Sequence, residues 1–239
     1  MAFLIENDVR VLLPTKDINI LTYAEPGENS DDFLQARVDF AVGVAKNYIQ
    51  HRFDPTQIFL DVDIFSASAS YAVGALVFYE EPAWVEGTTY NDTARVSYTE
   101  TDGSVYVYRR TGGGTTTEPP TNQSFWIRSV KNKSYFVAVQ VSSGNYPEDT
   151  AYWTANDSRD PVIKTYTLYI AIYELFKKAQ PNQVPEWAIN SNDEAVSWFR
   201  MVARGQITPE LPVKTDANGN EEGEEINYNF NYEKQNYDF

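Results

Sequence analysis

Apolar residues between positions 160 and 212 recur at helical spacing and predict two amphipathic helices joined by a Pro-rich loop. Asp160 and Pro161 form a typical helix start, because the Asp side chain accepts from first-turn N–H groups and proline has no N–H to satisfy. Pro181 predicts the end of the first helix. The apolar stripe of this helix consists of Ile163, Tyr166, Ile170, Tyr173 and Phe176.

The second helix is expected to open at the sequence SNDE, where Ser191 and Glu194 have the spacing of a capping box. Gly205 is the expected left-handed C-cap. An ordinary antiparallel helix pair packed in a core accounts for all of these residues. The stripe of the second helix consists of Ala195, Trp198, Phe199 and Val202.

Residues 55–159 have a different character, since Tyr, Thr, Ser, Val and Gly dominate and short alternating runs are separated by turn clusters. Such runs are typical of antiparallel strands, whose pleated surfaces suit β-branched and aromatic side chains. We interpret this segment as a β-rich inserted domain. The main runs are YAVGALVFY (71–79), ARVSYTE (94–100), SVYVYRR (104–110) and SYFVAVQV (134–141).

Residues 213–239 divide into an acidic, Gly- and Asn-containing linker and an extended C-terminal arm. The arm alternates large apolar residues with Asn, which is the pattern of a strand. A strand on a flexible tether is expected to add to a neighbour's sheet or to lie in its groove; the alternative is a disordered terminus. The apolar positions of the arm are Ile226, Tyr228, Phe230 and Tyr232.

These segments predict an α+β chain with three parts. A small helical core comprises residues 1–54 and 160–212, the β-rich insert comprises residues 55–159, and the acidic linker and arm comprise residues 213–239.

The 19 Lys and Arg against 34 Asp and Glu give a net charge of −15, which argues against a general nucleic-acid binder. The acidic balance has two interpretations: it serves solubility, or it lines a channel that DNA passes without sticking.

The residues offer little catalytic chemistry. His51 is the single histidine and cysteine is absent, so neither a two-His metal site nor a thiolate site is expected. Asp61 and Asp63 share one face of a predicted strand, but no third ligand accompanies them. The TGGGTTT sequence at 111–117 lacks the Lys of a phosphate-binding loop. We therefore expect no enzyme activity, no cofactor and no metal.

No run of about 18 apolar residues predicts a membrane span, and the first residues lack signal-peptide features, so cytoplasmic synthesis is expected.

The two ends of the chain resemble the head–tail connector (head-completion, neck-ring) proteins of tailed bacteriophages, the Mu-like group in particular. The C-terminal resemblance lies in VPE (184–186) followed by a helix with Ala195, Trp198, Phe199 and Gly205. The N-terminal resemblance lies in FLIENDVRVLL, INILT and the long helix QARVDFAVGVAKNYIQHRFD. The matched parts make up less than half of the chain. The insert of about a hundred residues between them departs from the compact members of the family.

The resemblance implies a structural virion protein that forms a closed, dodecameric ring in the phage neck or tail. Its expected partners are further copies of itself, the portal, and adjacent neck or tail rings. Double-stranded DNA is expected to pass through the lumen without sequence-specific binding. A podovirus-like tail assembly of the crAss-like type is the expected source, with synthesis in the cytoplasm of the host bacterium and no contact with a membrane.

The insert contains a degenerate repeat in which a strand, a Gly turn, a Pro and a Trp follow one another. Pro120 precedes Trp126 and Pro147 precedes Trp153, each by six residues. This pattern resembles the small β-modules of chitin- and cellulose-binding proteins, which implies a carbohydrate-binding or host-adhesion alternative, with sugars stacked on exposed aromatic rings. The other interpretation is that the two tryptophans fill small cores.

Overall fold

A computed structural model shows an α+β fold, as predicted, and describes residues 3–13, 17–18, 21 and 30–215. The helices are α1 (Glu6–Leu12), α2 (Ser30–Ile49), α3 (Pro55–Ile58), α4 (Pro161–Ala179) and α5 (Glu186–Ala203). The strands are β1 (Val62–Ile64), β2 (Ser70–Tyr71), β3 (Leu76–Tyr79), β4 (Arg95–Thr99), β5 (Val105–Arg110), β6 (Trp126–Lys131), β7 (Ser134–Ala138), β8 (Ser142–Ser143) and β9 (Trp153–Ala155).

Helices α2, α4 and α5 pack against one another around one apolar core, to which the N-terminal segment also contributes. The predicted start of α4 is confirmed, because the Asp160 carboxylate accepts from the N–H groups of Val162 and Ile163 at 2.9 and 2.8 Å. The helix ends at Ala179, two residues before Pro181. Its buried side chains include Ile163, Leu168, Ile170, Ile172 and Leu175.

Helix α5 begins at Glu186, so the predicted start at the Ser191 capping box is wrong. The five residues before Ser191 are helical because they pack onto the first helix of the pair. Ala188 is buried, and Trp187 contacts the Phe176 ring edge-to-face at 5.8 Å. This tertiary packing outweighs the local capping signal.

The predicted C-cap of α5 is confirmed at Gly205, whose φ of +72° lies in the left-handed region. The Gly205 N–H donates to the Val202 carbonyl, and the Gln206 N–H donates to the Met201 carbonyl at 2.9 Å. These two hydrogen bonds form the Schellman arrangement that satisfies the last helical carbonyls.

The strands form three sheets, in the orders β1-β3-β7-β9, β2-β8 and β4-β5-β6. All named pairs are antiparallel except β1–β3, which is parallel, so the wholly antiparallel prediction is wrong at this position. Between β1 and β3 the chain forms β2, which pairs with the distant strand β8 in a separate sheet. This crossover allows β3 to return beside β1 in the same direction.

The β-strands make two units of the same plan, one nested inside the other. We call residues 62–79 with 134–155 the outer module, and residues 82–131 the inner module. The pairing of β3 with β7 in the outer module sets Val77 opposite Phe136, and that of β4 with β5 in the inner module sets Val96 opposite Tyr108. The parallel contact of β1 with β3 also has an inner counterpart, the parallel bridge between Ala83 and Ser97.

The outer module lies between the helical core and the inner module, and it contacts each of them through a different face of its sheet. The back face of the outer sheet, with Leu76 and Phe78, packs toward Ile5 in the N-terminal segment. Its front face, with Tyr79 and Phe136, packs against the inner module, which contributes Val107. The front face of the inner sheet carries its own aromatic cluster, which contains Val96, Tyr98, Tyr106, Tyr108 and Trp126.

Candidate functional site

The residues of the connector-like motif all belong to the helical core, where some are buried and others lie at its surface. Ala195 and Phe199 are fully buried, and Trp198 is half-buried against Tyr166, whose ring centroid lies 5.2 Å away. Gly205 lies beside Arg52, whose Nη1 donates to the Val202 carbonyl at 2.8 Å. The structure therefore joins the end of α2 to the end of α5, which are the two chain segments that carry the resemblance.

A groove of about 560 Å³ runs between α2, α4 and α5 on the surface of the helical core. Phe40 on α2 is 50% exposed and forms one wall together with Val44 and Tyr48. Tyr173 and Val196 lie on the other two helices that form the groove. Glu174, Asn192, Asp193 and Arg200 complete the lining, so the groove has both apolar and polar walls.

The tryptophans of the repeat occupy equivalent, buried positions. This confirms the prediction that they fill small cores. Trp126 and Trp153 are each 1% exposed, and Pro120 and Pro147 are also buried. Each indole N–H donates to a backbone carbonyl eight residues earlier, that of Glu118 or Asn145, and both distances are 2.9 Å. Neither indole offers a free face for a sugar.

The equivalence of the modules extends well beyond the two Pro–Trp segments. Each contains the sequence Y-x-x-x-A-x-V-x-Y, at 71–79 and at 90–98, and sequence reasoning missed the second copy. The first Tyr of each accepts a backbone N–H: Ser66 donates to Tyr71 Oη at 2.7 Å, and Val85 donates to Tyr90 Oη at 2.8 Å. This nine-residue pattern was the available signal for the nested duplication.

The front face of the inner module forms a cleft of about 730 Å³. Tyr98, Tyr108 and Trp126 contribute aromatic surface, and Glu100 and Arg128 form an ion pair of 3.1 Å that also lines the cleft. Burial and the adjacent Glu100 carboxylate, which accepts from its hydroxyl at 2.7 Å, raise the pKa of Tyr108 to about 12. The hydroxyl therefore remains a neutral donor at physiological pH.

A buried ionic network, which sequence reasoning also missed, connects the helical core to the outer module. The Arg159 guanidinium donates to Asp8 Oδ2 and to Asp157 Oδ2, each at 2.7 Å. Lys164 pairs with Asp157 at 2.7 Å, and Tyr135 on β7 donates to Asp8 at 2.8 Å. The residues come from α1, β7, the segment after β9 and α4, so the network fixes the position of the outer module on the helices.

The carboxylates of this network are held in their ionised forms. Burial opposes ionisation of Asp157, but hydrogen bonds from Arg159 and Lys164 outweigh it and lower the pKa of Asp157 to about 2. Burial likewise opposes ionisation of Asp8, and hydrogen bonds to Arg159 and its charge hold the pKa of Asp8 below its ordinary value. These close, multiple hydrogen bonds between segments that are distant in the sequence are typical of a structural connection.

The remaining predicted positions contribute no assembled site. The arm residues Ile226, Tyr228, Phe230 and Tyr232 lie outside the described residues. Asp61 is exposed just before β1, Asp63 lies within it, and neither lines the clefts described above. Within residues 3–13, 17–18, 21 and 30–215, no three His, Cys, Asp or Glu side chains are grouped to hold a metal ion. None of the helices in that part of the chain is long and apolar enough to cross a membrane.

Comparison of the chain with protein-family models, with curated proteins and with solved structures finds no match.

Proposed function

We propose that this protein is a structural subunit of a ring in the neck or tail of a tailed bacteriophage, where the ring connects the portal-bearing head to the tail around the DNA channel. The observation that carries the proposal is the contact between Arg52 and the C-terminal turn of α5 at Gly205. It brings both connector-like segments, which are separated by 150 positions in the sequence, into one small helical core.

Two further observations support a ring subunit. Phe40 is 50% exposed in the groove of the helical core, as expected of a position that a neighbouring subunit covers. The chain carries a net charge of −15, which suits a channel that DNA passes without binding. By contrast, Trp126 and Trp153 are buried, so neither repeat tryptophan supplies the stacking surface of the carbohydrate-binding alternative.

Mass photometry of the purified full chain, with and without the portal, tests the proposal. We expect a closed species whose mass is about twelve times the 27.2 kDa of the subunit, and we expect the portal to promote or stabilise it. Phe40→Asp should abolish this species, whereas Val85→Asp, at a similarly exposed valine of the inner module, should leave it intact. A chain that stays monomeric with its portal at micromolar concentration contradicts the proposal.

A further inference from the structure

Two arginines are buried in the described part of the chain, Arg110 and Arg159, which are 5% and 3% exposed. Arg159 pairs with two carboxylates, whereas no Asp or Glu of the described residues pairs with Arg110. Arg110 Nη1 donates to the carbonyl oxygens of Thr111 and Phe125, and its buried Nε has no acceptor among those residues. A buried cation without an anion is costly, so Arg110 requires an explanation.

The nested duplication shows that the fold does not require an arginine at this place. Arg110 lies opposite Trp126 in the inner sheet, and Ala138 lies opposite Trp153 in the outer sheet. Ala138 is 1% exposed, so the outer module fills the corresponding position with a methyl group. The arginine is therefore a feature of the inner module alone.

The loop that follows the arginine also differs between the modules. In the inner module, Thr-Gly-Gly-Gly-Thr at 111–115 leads to Thr116, and in the outer module Val-Gln-Val at 139–141 leads to Ser142. Thr116 and Ser142 correspond, because each pairs with the first Tyr of the repeated nine-residue pattern. The inner module thus combines a longer, glycine-rich loop with an arginine at its base.

This glycine loop has the backbone geometry of an anion-binding nest. Gly112 and Gly114 have φ values of +86° and +83°, and Gly113 between them lies outside the left-handed region. Such alternation directs successive N–H groups toward one concave side. Among the described residues, the N–H groups of these three exposed glycines have no acceptor. The loop therefore offers free donors at the surface.

The Arg110 guanidinium lies directly against the loop. A Cβ added to Gly112 would be 3.7 Å from Arg110 Nη1, and Nη1 donates to the Thr111 carbonyl. The planar guanidinium has five N–H donors, in an arrangement that suits the oxygens of phosphate or sulfate. The sequence TGGGTTT lacks the lysine of a phosphate-binding loop, but Arg110 supplies a cation from the residue before it.

We propose that Arg110 and the loop at 111–115 form a binding site for a tetrahedral oxyanion, phosphate or sulfate. The glycine N–H groups donate to the oxygens of the anion, and the guanidinium provides the compensating charge. Since the whole chain carries a net charge of −15, affinity for an anion depends on these local donors and not on the general field of the protein. The inference depends on the inner module alone and is independent of the proposed function.

Calorimetric titration of the full chain with sodium phosphate, at constant ionic strength, tests the site. We expect saturable binding of one phosphate for each chain. Arg110→Met should weaken binding about tenfold or more, because it removes the charged hydrogen-bond donors. Arg109→Met is the matched control and should bind as the wild type does, since Arg109 is exposed and its side chain lies on the opposite face of β5.

A second pair of variants leaves the buried arginine in place, so the test remains decisive if Arg110→Met does not fold. Among the described residues, no atom lies within 4 Å of a Cβ added to Gly113, so a side chain fits there. Gly113→Glu should abolish phosphate binding, because its carboxylate competes for Arg110 and repels the anion. Gly113→Gln has the same size without the charge and should bind phosphate as the wild type does.

Equal phosphate affinity of the wild type and Gly113→Glu overturns the proposal, and so does the absence of saturable binding by the wild type. Acetate that binds as tightly as phosphate also overturns it, because the ligand would then be a carboxylate. Sulfate is titrated separately, and the tighter of the two oxyanions identifies the ligand. None of these outcomes bears on the neck assignment, which ring formation tests.

Discussion

Arg52 donates from Nη1 to the carbonyl oxygen of Val202 at 2.8 Å, and so joins the C-terminal ends of α2 and α5. This carbonyl lies in the last turn of α5, where it also accepts the Gly205 N–H, so the arginine is its second donor. The guanidinium also lies against Gly205, where an added Cβ would be 3.4 Å from Nη1. The glycine therefore serves both the left-handed turn and the close approach of the arginine.

Gly205→Ala should destabilise the helical core by about 1–2 kcal/mol, because an L-residue is strained at a φ of +72°. Urea unfolding monitored by the helical circular dichroism signal measures the change. Gly43→Ala is the matched control, since Gly43 lies inside α2 with open space around it, and it should stabilise the protein by about 0.5–1 kcal/mol. Equal effects of the two substitutions would contradict the interpretation of the Gly205 turn.

Trp126→Ala and Trp153→Ala should each destabilise the module concerned by on the order of 3–5 kcal/mol, as for other buried aromatic side chains. Both substitutions create a cavity and leave a backbone carbonyl without its indole donor. Tryptophan fluorescence during urea unfolding measures the loss. Trp187→Ala, at a tryptophan that is 48% exposed, should have a clearly smaller effect.

The ionic network should make stability depend on pH in the acid range. The pKa of Asp157 is lowered to about 2 in the folded chain, so its contribution is fully present above the unfolded pKa near 4 and disappears as the pH falls through about 2. Asp157→Asn should therefore lower the free energy of unfolding by about 2 kcal/mol at pH 7 and by much less at pH 2.

Urea unfolding of the wild-type chain and the Asp157→Asn chain across pH 2 to 7 measures this difference. Asp92→Asn, at an exposed position in the inner module, is the control and should give a curve parallel to that of the wild type. If Asp157→Asn also ran parallel to the wild type over this range, the network would not hold the carboxylate in its ionised form.

Removal of residues 216–239 should leave the thermal unfolding of the free subunit nearly unchanged but weaken its attachment to the neck or tail partner that we propose. The truncation begins at 216 because the preceding residues belong to the core: Val213 bridges to Phe53, and Lys214 N–H donates to the Arg52 carbonyl at 3.4 Å. Calorimetry and a pull-down with the neighbouring component measure the two effects. A marked fall in the melting temperature of the truncated free chain would place Ile226, Tyr228, Phe230 and Tyr232 in its own fold.

Local sequence signals predicted those elements whose stability is decided within a few residues. The Asp160–Pro161 start and the Gly205 end follow from hydrogen bonds to neighbouring backbone groups, which any helix end requires. The same reasoning failed at Ser191, because contact of Trp187 with Phe176 extends the helix past its best capping signal. Burial of the repeat tryptophans was predictable from their spacing in a thin β-unit.

The sequence by itself determined the α+β class, the start of α4, the C-terminal end of α5 and the presence of a Pro–Trp repeat, because these depend on local periodicity and local hydrogen bonds. Only the tertiary structure decided that one module is nested in the other, that β1 runs parallel to β3, and that Asp8 meets Arg159 across 151 positions. These features depend on contacts between distant segments. Residue types alone do not specify such pairings, since many partners of similar polarity are available and packing selects among them.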